Sequence, residues 1–80
     1  SVKREQLSKK KLNYKDQREL DQLPNLITAL ETEQQAIQQA LADGTLYSSD
    51  SARAAALHAR EGEIENTLMA ALERWTELSA

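Results

Sequence analysis

Apolar residues recur along two long segments of this 80-residue chain at alternating steps of three and four residues. This spacing is typical of the a and d positions of a heptad repeat, which form one apolar stripe along a helix. The first stripe consists of Leu20, Leu23, Ile27, Leu30, Gln34, Ile37 and Leu41. The second stripe consists of Ala54, Leu57, Glu61, Ile64, Leu68, Ala71, Trp75 and Leu78. Each segment is therefore predicted to be a helix that packs one face against a single partner helix.

The two stripes match each other when the second segment is folded back onto the first to form one seam. The numbers of facing residues then add up to 94 or 95 in every layer, and Leu20 faces Trp75 in the last one. The same register places Gln34 opposite Glu61, a polar layer that is expected to fix the pairing at some cost in stability. The pattern predicts an all-α fold, an antiparallel two-helix intramolecular coiled-coil hairpin. It favours a monomer over a dimer formed through the same seam.

Local signals set the predicted boundaries of the two helices. Asn13 is a favourable N-cap, and Gly44 suits the left-handed position at which many helices end. Asp50 or Ser49 is expected to cap the return helix. The chain is thus divided into a flexible basic tail over residues 1–12 and a coiled-coil hairpin over 13–80. The hairpin is predicted to comprise a helix over about 14–42 that is interrupted near 24, a connection over 43–50 and a helix over about 51–79.

Pro24 falls within the first helical pattern, although the heptad spacing continues across it. Proline has no amide hydrogen to donate to the carbonyl of Leu20, and its ring crowds that carbonyl, at a cost of about 3 kcal/mol inside a helix. One resolution is a helix that ends near Leu23 and a second helix that begins with Pro24. The other is a single helix with a kink or a 3₁₀ turn. Because the stripe keeps its register, we expect the kink or the 3₁₀ turn.

Charged residues are distributed unevenly along the chain. The net charge of −3 combines seven cations and two acids in residues 1–18, a net of +5, with three cations and eleven acids in residues 19–80, a net of −8. A cluster of cations binds phosphates without reading base sequence, although a solvated linker has a similar composition. The candidate nucleic-acid-binding residues are Lys9, Lys10, Lys11, Lys15 and Arg18.

The sequence contains no recognisable catalytic or metal-binding motif. It has no Cys and a single histidine, His58, so neither a thiolate zinc site nor a histidine-based metal site is expected. No phosphate-binding loop or nucleophile motif occurs, so no catalytic residue is assigned. Tyr14 and Trp75 are either a stacking platform for bases or the side chains that close the open end of the hairpin, and we expect the latter. No apolar run is long enough to span a membrane. Because the chain begins with Ser1, we expect a fragment or a processed product.

Three parts of the sequence resemble one bacterial family. The segment KKKLNYKDQRELDQLPNLITALETE is similar to the region where the C-terminal domain begins in Uup-type ABC-F ATPases. LADGTLY resembles the turn of that domain, and ERWTEL resembles its closing R-W-x-E-L motif. The chain departs from the family pattern at Asn13, where Ser is frequent, and at Gly44, where Pro is frequent. Both departures keep a helix cap or a helix stop.

The resemblance implies a setting and a function. Members of this family are cytoplasmic bacterial proteins with two ATP-binding cassettes and no transmembrane domain. Their ATP and Mg²⁺ sites lie in the upstream cassettes, so no cofactor is expected in this domain. They act on nucleic-acid machinery, chiefly the ribosome, and the C-terminal domain is associated with DNA binding. The leading hypothesis is therefore a non-catalytic domain that binds DNA or RNA. The alternative is a protein-interaction or regulatory coiled coil that docks on its own ATPase cassettes or on the ribosome through the acidic segments 31–33 and 61–65.

Overall fold

The computed structural model describes residues 12–80, and every element of regular structure in this part of the chain is an α-helix. Helix α1 spans Tyr14–Leu41, helix α2 spans Thr45–Ser49, and helix α3 spans Ser51–Ser79. The prediction of an all-α fold is thereby confirmed. The predicted flexible tail lies outside the described residues, apart from Leu12. Within residues 12–80 no helix is both long and apolar enough to cross a membrane.

The helix ends are fixed by residues that the sequence predicts as caps and stops. Asn13 accepts a hydrogen bond through Oδ1 from the amide of Asp16, at an N–O distance of 2.7 Å. Asp50 caps α3 in the same way, since its Oδ1 lies 3.1 Å from the amide nitrogen of Arg53. Gly44 has a φ of +78°, a left-handed conformation in which a side chain would be strained. It leads the chain from α1 into α2.

The connection contains a short helix that the sequence pattern does not indicate. Helix α2 has five residues, and Asp43 accepts hydrogen bonds from both the amide and the hydroxyl of Thr45 at its start. The hydroxyl of Tyr47 is hydrogen-bonded to Nε2 of His58, and the two rings lie 5.6 Å apart between centroids. These contacts tie α2 to α3 and define the turn end of the molecule.

Helices α1 and α3 pack lengthwise against each other, with contacts that run in opposite chain order. Glu19, near the start of α1, is bonded to Arg74, near the end of α3. Glu33, farther along α1, is bonded to Arg60, which comes earlier in α3. The resulting rod has extents of 64 × 17 × 16 Å.

The core is a row of apolar side chains between α1 and α3, and each buried residue belongs to one of the predicted stripes. Ile64 is the most deeply buried, with no exposed surface. Full burial of an aliphatic side chain stabilises a fold by about 1.5–3 kcal/mol. Leu12 and Leu78 pack in the same cluster, so the two ends of the described chain lie together at the open end of the rod. The buried residues are Leu23, Leu30, Ile37, Ala54, Ile64, Ala71 and Leu78.

Helix α1 continues as an α-helix through Pro24, so the interruption and the 3₁₀ turn that we expected are not found there. Pro24 is exposed, whereas its neighbours Leu23 and Ile27 pack in the core. This packing compensates for the missing backbone hydrogen bond, because most helix stability in proteins comes from the burial of an apolar face. The kink stays a prediction.

The polar layer of the seam differs from the predicted one in its hydrogen bond. Glu61 is half-buried and accepts a hydrogen bond from Nε2 of Gln38 at 3.3 Å, not from Gln34. Gln38 lies one turn farther along α1, at the edge of the seam. The side chains of α1 tilt toward its N-terminus, so an amide one turn beyond Gln34 is directed back toward the Glu61 layer.

The open end of the rod is also closed differently from the prediction. Leu78 is buried in the cluster that includes Leu20, whereas Trp75 remains 38% exposed and lies beside Pro24. Helical side chains lean toward the helix N-terminus, which directs Trp75 away from the open end and toward Pro24. Tyr14 does not close this end either, since it is 76% exposed.

Candidate nucleic-acid interface

The predicted basic site is described in part. Lys9, Lys10 and Lys11 lie outside the described residues, so their positions stay a prediction. Lys15 and Arg18 lie in the first two turns of α1, where both side chains are exposed. Because they are three residues apart on a helix, they share one face, and together with Tyr14 they line a shallow surface depression.

Arg18 and Tyr14 are joined on the surface of α1. Nη1 of Arg18 donates a hydrogen bond to the Tyr14 hydroxyl at 3.2 Å, and Cζ of Arg18 lies 5.7 Å from the centre of the Tyr14 ring. A guanidinium at this distance is attracted to the electron-rich face of the ring. The pair presents a positive charge and an aromatic ring side by side, a combination that suits both phosphates and bases.

The acidic residues closest to this site are bound by a different cation. Arg74 donates to Glu19 at 2.7 and 3.0 Å and to Asp16 at 3.3 Å. The hydrogen bonds from Arg74 lower the pKa of Glu19, and the charges of Arg74 and Lys15 add to this effect. Within residues 12–80 neither Lys15 nor Arg18 forms an ion pair. The charges of these two side chains therefore remain available to an external anion.

Arg60 repeats the arrangement of Arg74 two heptads away. It donates to Glu33 at 2.7 and 2.9 Å and to Glu63 at 3.2 Å, and the hydrogen bonds from Arg60 lower the pKa of Glu33. Sequence reasoning did not find either arginine cluster. The register that aligns the two stripes, extended to the flanking heptad positions, places Glu19 near Arg74 and Glu33 near Arg60, so the signal was present.

The Tyr47–His58 pair is the arrangement in the described residues that most resembles a catalytic one. Nδ1 of His58 lies 3.9 Å from Oε1 of Glu61, so a tyrosine, a histidine and a carboxylate follow one another along the surface. His58 is about half exposed. These contacts join α2 to α3, and the hydrogen bond from Gln38 to Glu61 extends them to α1. Among residues 12–80 no group of three or more histidine or acidic side chains is placed to hold a metal ion.

Comparison with known proteins identifies the family. A family model described as the ABC transporter C-terminal domain matches residues 11–80. The chain is 40% identical over 73 residues to the ATP-binding protein Uup of Escherichia coli, an alignment that covers 91% of the chain and 12% of that protein. It is 38% identical to the ATP-binding protein Uup of Haemophilus influenzae, over 98% of the chain and 12% of that protein. It is also 38% identical to the uncharacterized ABC transporter ATP-binding protein YfmR of Bacillus subtilis, over 89% of the chain and 11% of that protein. No solved structure matches the chain.

The chain therefore belongs to the ABC transporter C-terminal domain family, and its relatives confirm the predicted resemblance to the C-terminal domain of a Uup-type ABC-F protein. It spans only 11 to 18% of the length of the curated relatives that it matches. The activity and the partners of a full-length protein of this family are therefore treated below as proposals.

Proposed function

We propose that this domain is a non-catalytic, antiparallel coiled-coil hairpin that binds nucleic acid through phosphate contacts at its basic end. The observation that carries the proposal is the exposure of Lys15 and Arg18 on one face of α1, where neither forms a direct ion pair with an acid of residues 12–80. Seven of the ten Lys and Arg residues fall in residues 1–18, so these two side chains continue a longer basic segment.

The composition of the interface favours binding with little sequence specificity. Lysine and arginine side chains on an exposed helical face attract the phosphate backbone, whereas base reading requires an element that enters a groove with several fixed polar side chains. Arg74 adds to the proposal, because its positive charge offsets part of the negative charge of Asp16 and Glu19 and so reduces the repulsion of phosphates by these acids.

Salt titration tests this proposal directly. If four or five phosphates are neutralised, the logarithm of the DNA affinity falls with the logarithm of the salt concentration at a slope of roughly −4. The measurement is a fluorescence anisotropy titration of the 80-residue chain with a short labelled DNA duplex, repeated with DNA single strands and RNA. Absence of binding at low salt, or an affinity that does not depend on salt, would contradict the proposal.

Two single substitutions provide a matched comparison. Arg18→Gln should weaken binding to every sequence and reduce the magnitude of the salt slope by about one. Arg53→Gln removes the same charge from an exposed position near the turn end, and it should leave both quantities nearly unchanged. Equal effects of the two substitutions would mean that only net charge matters and that the basic end is not the binding site. Replacement of all five candidate residues by Gln should abolish binding without loss of helicity.

Docking on the ATPase cassettes or on the ribosome through the acidic segments is the alternative proposal. Part of the acidic surface that it requires is already engaged within the domain, because Glu33 and Glu63 are both bound by Arg60. Glu31 and Glu65 are exposed. Chemical cross-linking within a full-length protein of this family, followed by identification of the linked residues, distinguishes this alternative from nucleic-acid binding.

A further inference from the structure

The two sides of the seam have different chemistry. We call the side that carries the bonds from Arg74 to Glu19 and from Arg60 to Glu33 the arginine flank. The opposite side, where Trp75 and Pro24 meet, is called the tryptophan flank. With Leu20 and Ala54 taken as a positions, the arginine flank follows the g positions of both helices and the tryptophan flank follows the e and b positions.

Apolar side chains are exposed on the tryptophan flank of α3. Met69, Leu72 and Trp75 follow one another at steps of three, and they are 63%, 53% and 38% exposed. Leu72 and Trp75 line a depression of about 280 Å³ whose other wall is formed by Pro24, Ile27 and Thr28 of α1. A small domain that exposes neighbouring large apolar side chains in this way has a surface suited to a partner.

Among Lys, Arg, Asp and Glu, only the acidic residues occur at the e and b positions of this flank. In residues 12–80, none of the e and b positions of the two long helices is Lys or Arg, whereas Arg53, Arg60 and Arg74 all occupy g positions. Glu31 and Glu65 are exposed and lie one heptad from Pro24 and Leu72 respectively. The register that brings Pro24 to Leu72 therefore places these two carboxylates at facing positions of the next layer.

Two residues of the depression, Pro24 and Trp75, are unusual for the positions that they occupy in a pair of packed helices. Pro24 removes a backbone hydrogen bond from α1. Trp75 occupies a seam position but is more exposed than the other apolar seam residues of the described chain. Positions where a sequence departs from the rules that its fold otherwise follows are often functional. Both departures here occur at the same place on the surface.

We infer that the tryptophan flank binds a basic amphipathic helix of a partner protein. The bound helix lies along the groove between α1 and α3 as a third helix. Its apolar side chains enter the depression formed by Pro24, Leu72 and Trp75, in the manner of other helices that dock in apolar grooves. Its lysine or arginine side chains face Glu31 and Glu65, which selects a basic partner and excludes an acidic one.

The single tryptophan of the chain makes this inference measurable, because Trp75 lies in the proposed site. The probe is a synthetic helical peptide of Leu and Lys, with Leu at i, i+3, i+4 and i+7, added to the 80-residue chain. Binding should shift the Trp75 emission to shorter wavelength as the indole leaves water, and it should saturate with the anisotropy of a labelled peptide. A peptide of the same composition with a scrambled order, which forms no apolar stripe, should produce neither change.

Matched substitutions separate this site from general attraction to an acidic protein. Leu72→Ser should weaken peptide binding by roughly threefold to tenfold, since Leu72 is 53% exposed and only that part of its surface is newly buried by the peptide. Leu26→Ser changes a leucine of similar exposure on the arginine flank, and it should leave the affinity unchanged. Glu31→Gln with Glu65→Gln should weaken binding, whereas Glu73→Gln with Glu77→Gln, which removes the same charge outside the flank, should not. Circular dichroism verifies that each variant remains helical.

Other occupants of the flank give different results. If a second copy of the chain occupies it, the Trp75 emission shifts with protein concentration when no peptide is present, which would overturn the inference. If nucleic acid occupies it, DNA shifts the Trp75 emission and Leu72→Ser weakens DNA binding, with the same consequence. Equal affinities for the ordered and the scrambled peptide would also refute the inference. None of these outcomes depends on whether Lys15 and Arg18 bind phosphate.

Discussion

Arg60 and Arg74 provide the polar contacts that cross from α3 to α1 along the arginine flank. Each guanidinium bonds to an acid on α1 and to a second acid three residues farther along α3. Ion pairs at exposed positions contribute modestly to stability because water and salt screen them. Their main effect is on specificity, since a shift of the seam by one heptad would separate both arginines from Glu19 and Glu33.

These ion pairs predict how stability depends on pH. The pKa values of Glu19 and Glu33 are lowered in the folded chain by the hydrogen bonds from Arg74 and Arg60. A carboxyl group with a lowered folded-state pKa stabilises the fold fully above its unfolded-state pKa, and this contribution is lost as the pH falls through the folded-state value. The thermal unfolding midpoint should therefore decrease below about pH 4.5.

The control for this prediction is the double variant Arg60→Met, Arg74→Met, followed by circular dichroism over the same pH range. Its unfolding midpoint should depend less on pH, because Glu19 and Glu33 then titrate near their unfolded values. Some dependence should remain, since hydrogen bonds from the amide and hydroxyl of Thr45 lower the pKa of Asp43 independently of either arginine. An unchanged pH profile would show that these pairs do not contribute to stability.

At the scale of the helices, the regular heptad spacing made α1 and α3 predictable, and local chemistry made their ends predictable. The buried residues of the seam come from the predicted stripes, and Asn13, Gly44 and Asp50 end the helices as expected. Helix α2 was not predictable in this way, because five residues are too few to show a helical period. The contact of Tyr47 with His58 also depends on how the connection folds back onto α3, which the sequence pattern does not specify.

The candidate site was predictable to a smaller extent. Composition identified Lys15 and Arg18, and the structure shows both exposed. Their surroundings depend on where side chains on facing helices point, which a sequence pattern does not specify. The placement of Trp75 beside Pro24 illustrates this limit, since the register predicted from the two stripes placed Trp75 opposite Leu20.

Pro24 yields a prediction for α1 as an element. Its position is exposed and helical, so Pro24→Ala restores a backbone donor and removes a steric conflict worth about 3 kcal/mol in a helix interior. Loss of the contact with Trp75 offsets part of this gain, and the net stabilisation should be about 1–2 kcal/mol. Urea unfolding followed by circular dichroism measures this change in the free energy of unfolding.

Asn25→Ala, at the neighbouring exposed position, is the control and should change stability by less than about 1 kcal/mol. A destabilised Pro24→Ala variant would show that the proline ring is essential to the packing of the open end.

At the scale of the whole molecule, the domain is a thin rod with a different chemistry at each place where it can meet a partner. Lys15 and Arg18 lie near the open end on the outer face of α1, the apolar depression lies on the tryptophan flank, and the arginine flank is occupied by internal ion pairs. The core of the rod is a single row of side chains between α1 and α3. Its stability therefore depends on a continuous seam.

The rod shape predicts its behaviour in solution. The radius of gyration of the Cα atoms is 18.5 Å, and the mass of the chain is 9.0 kDa. Small-angle X-ray scattering with light scattering should give a monomer mass and a radius of gyration of at least about 18.5 Å that does not change on dilution. A dimer that exchanges helices through the same seam would have twice the mass, and its mass would fall on dilution.

The joint packing of Leu12 and Leu78 in one cluster also has a mechanical consequence. Because both ends of the described chain lie at the open end, a tension applied between them acts across the rod and not along it. The layers of the seam then separate one after another from the open end, and the force acts mainly on the layer that is separating. Such a geometry yields at low force. The turn end, where Tyr47 is bonded to His58, is the last part on which the force acts. A force between the two ends therefore separates the helices more easily than a force along the rod, which would load all layers of the seam together.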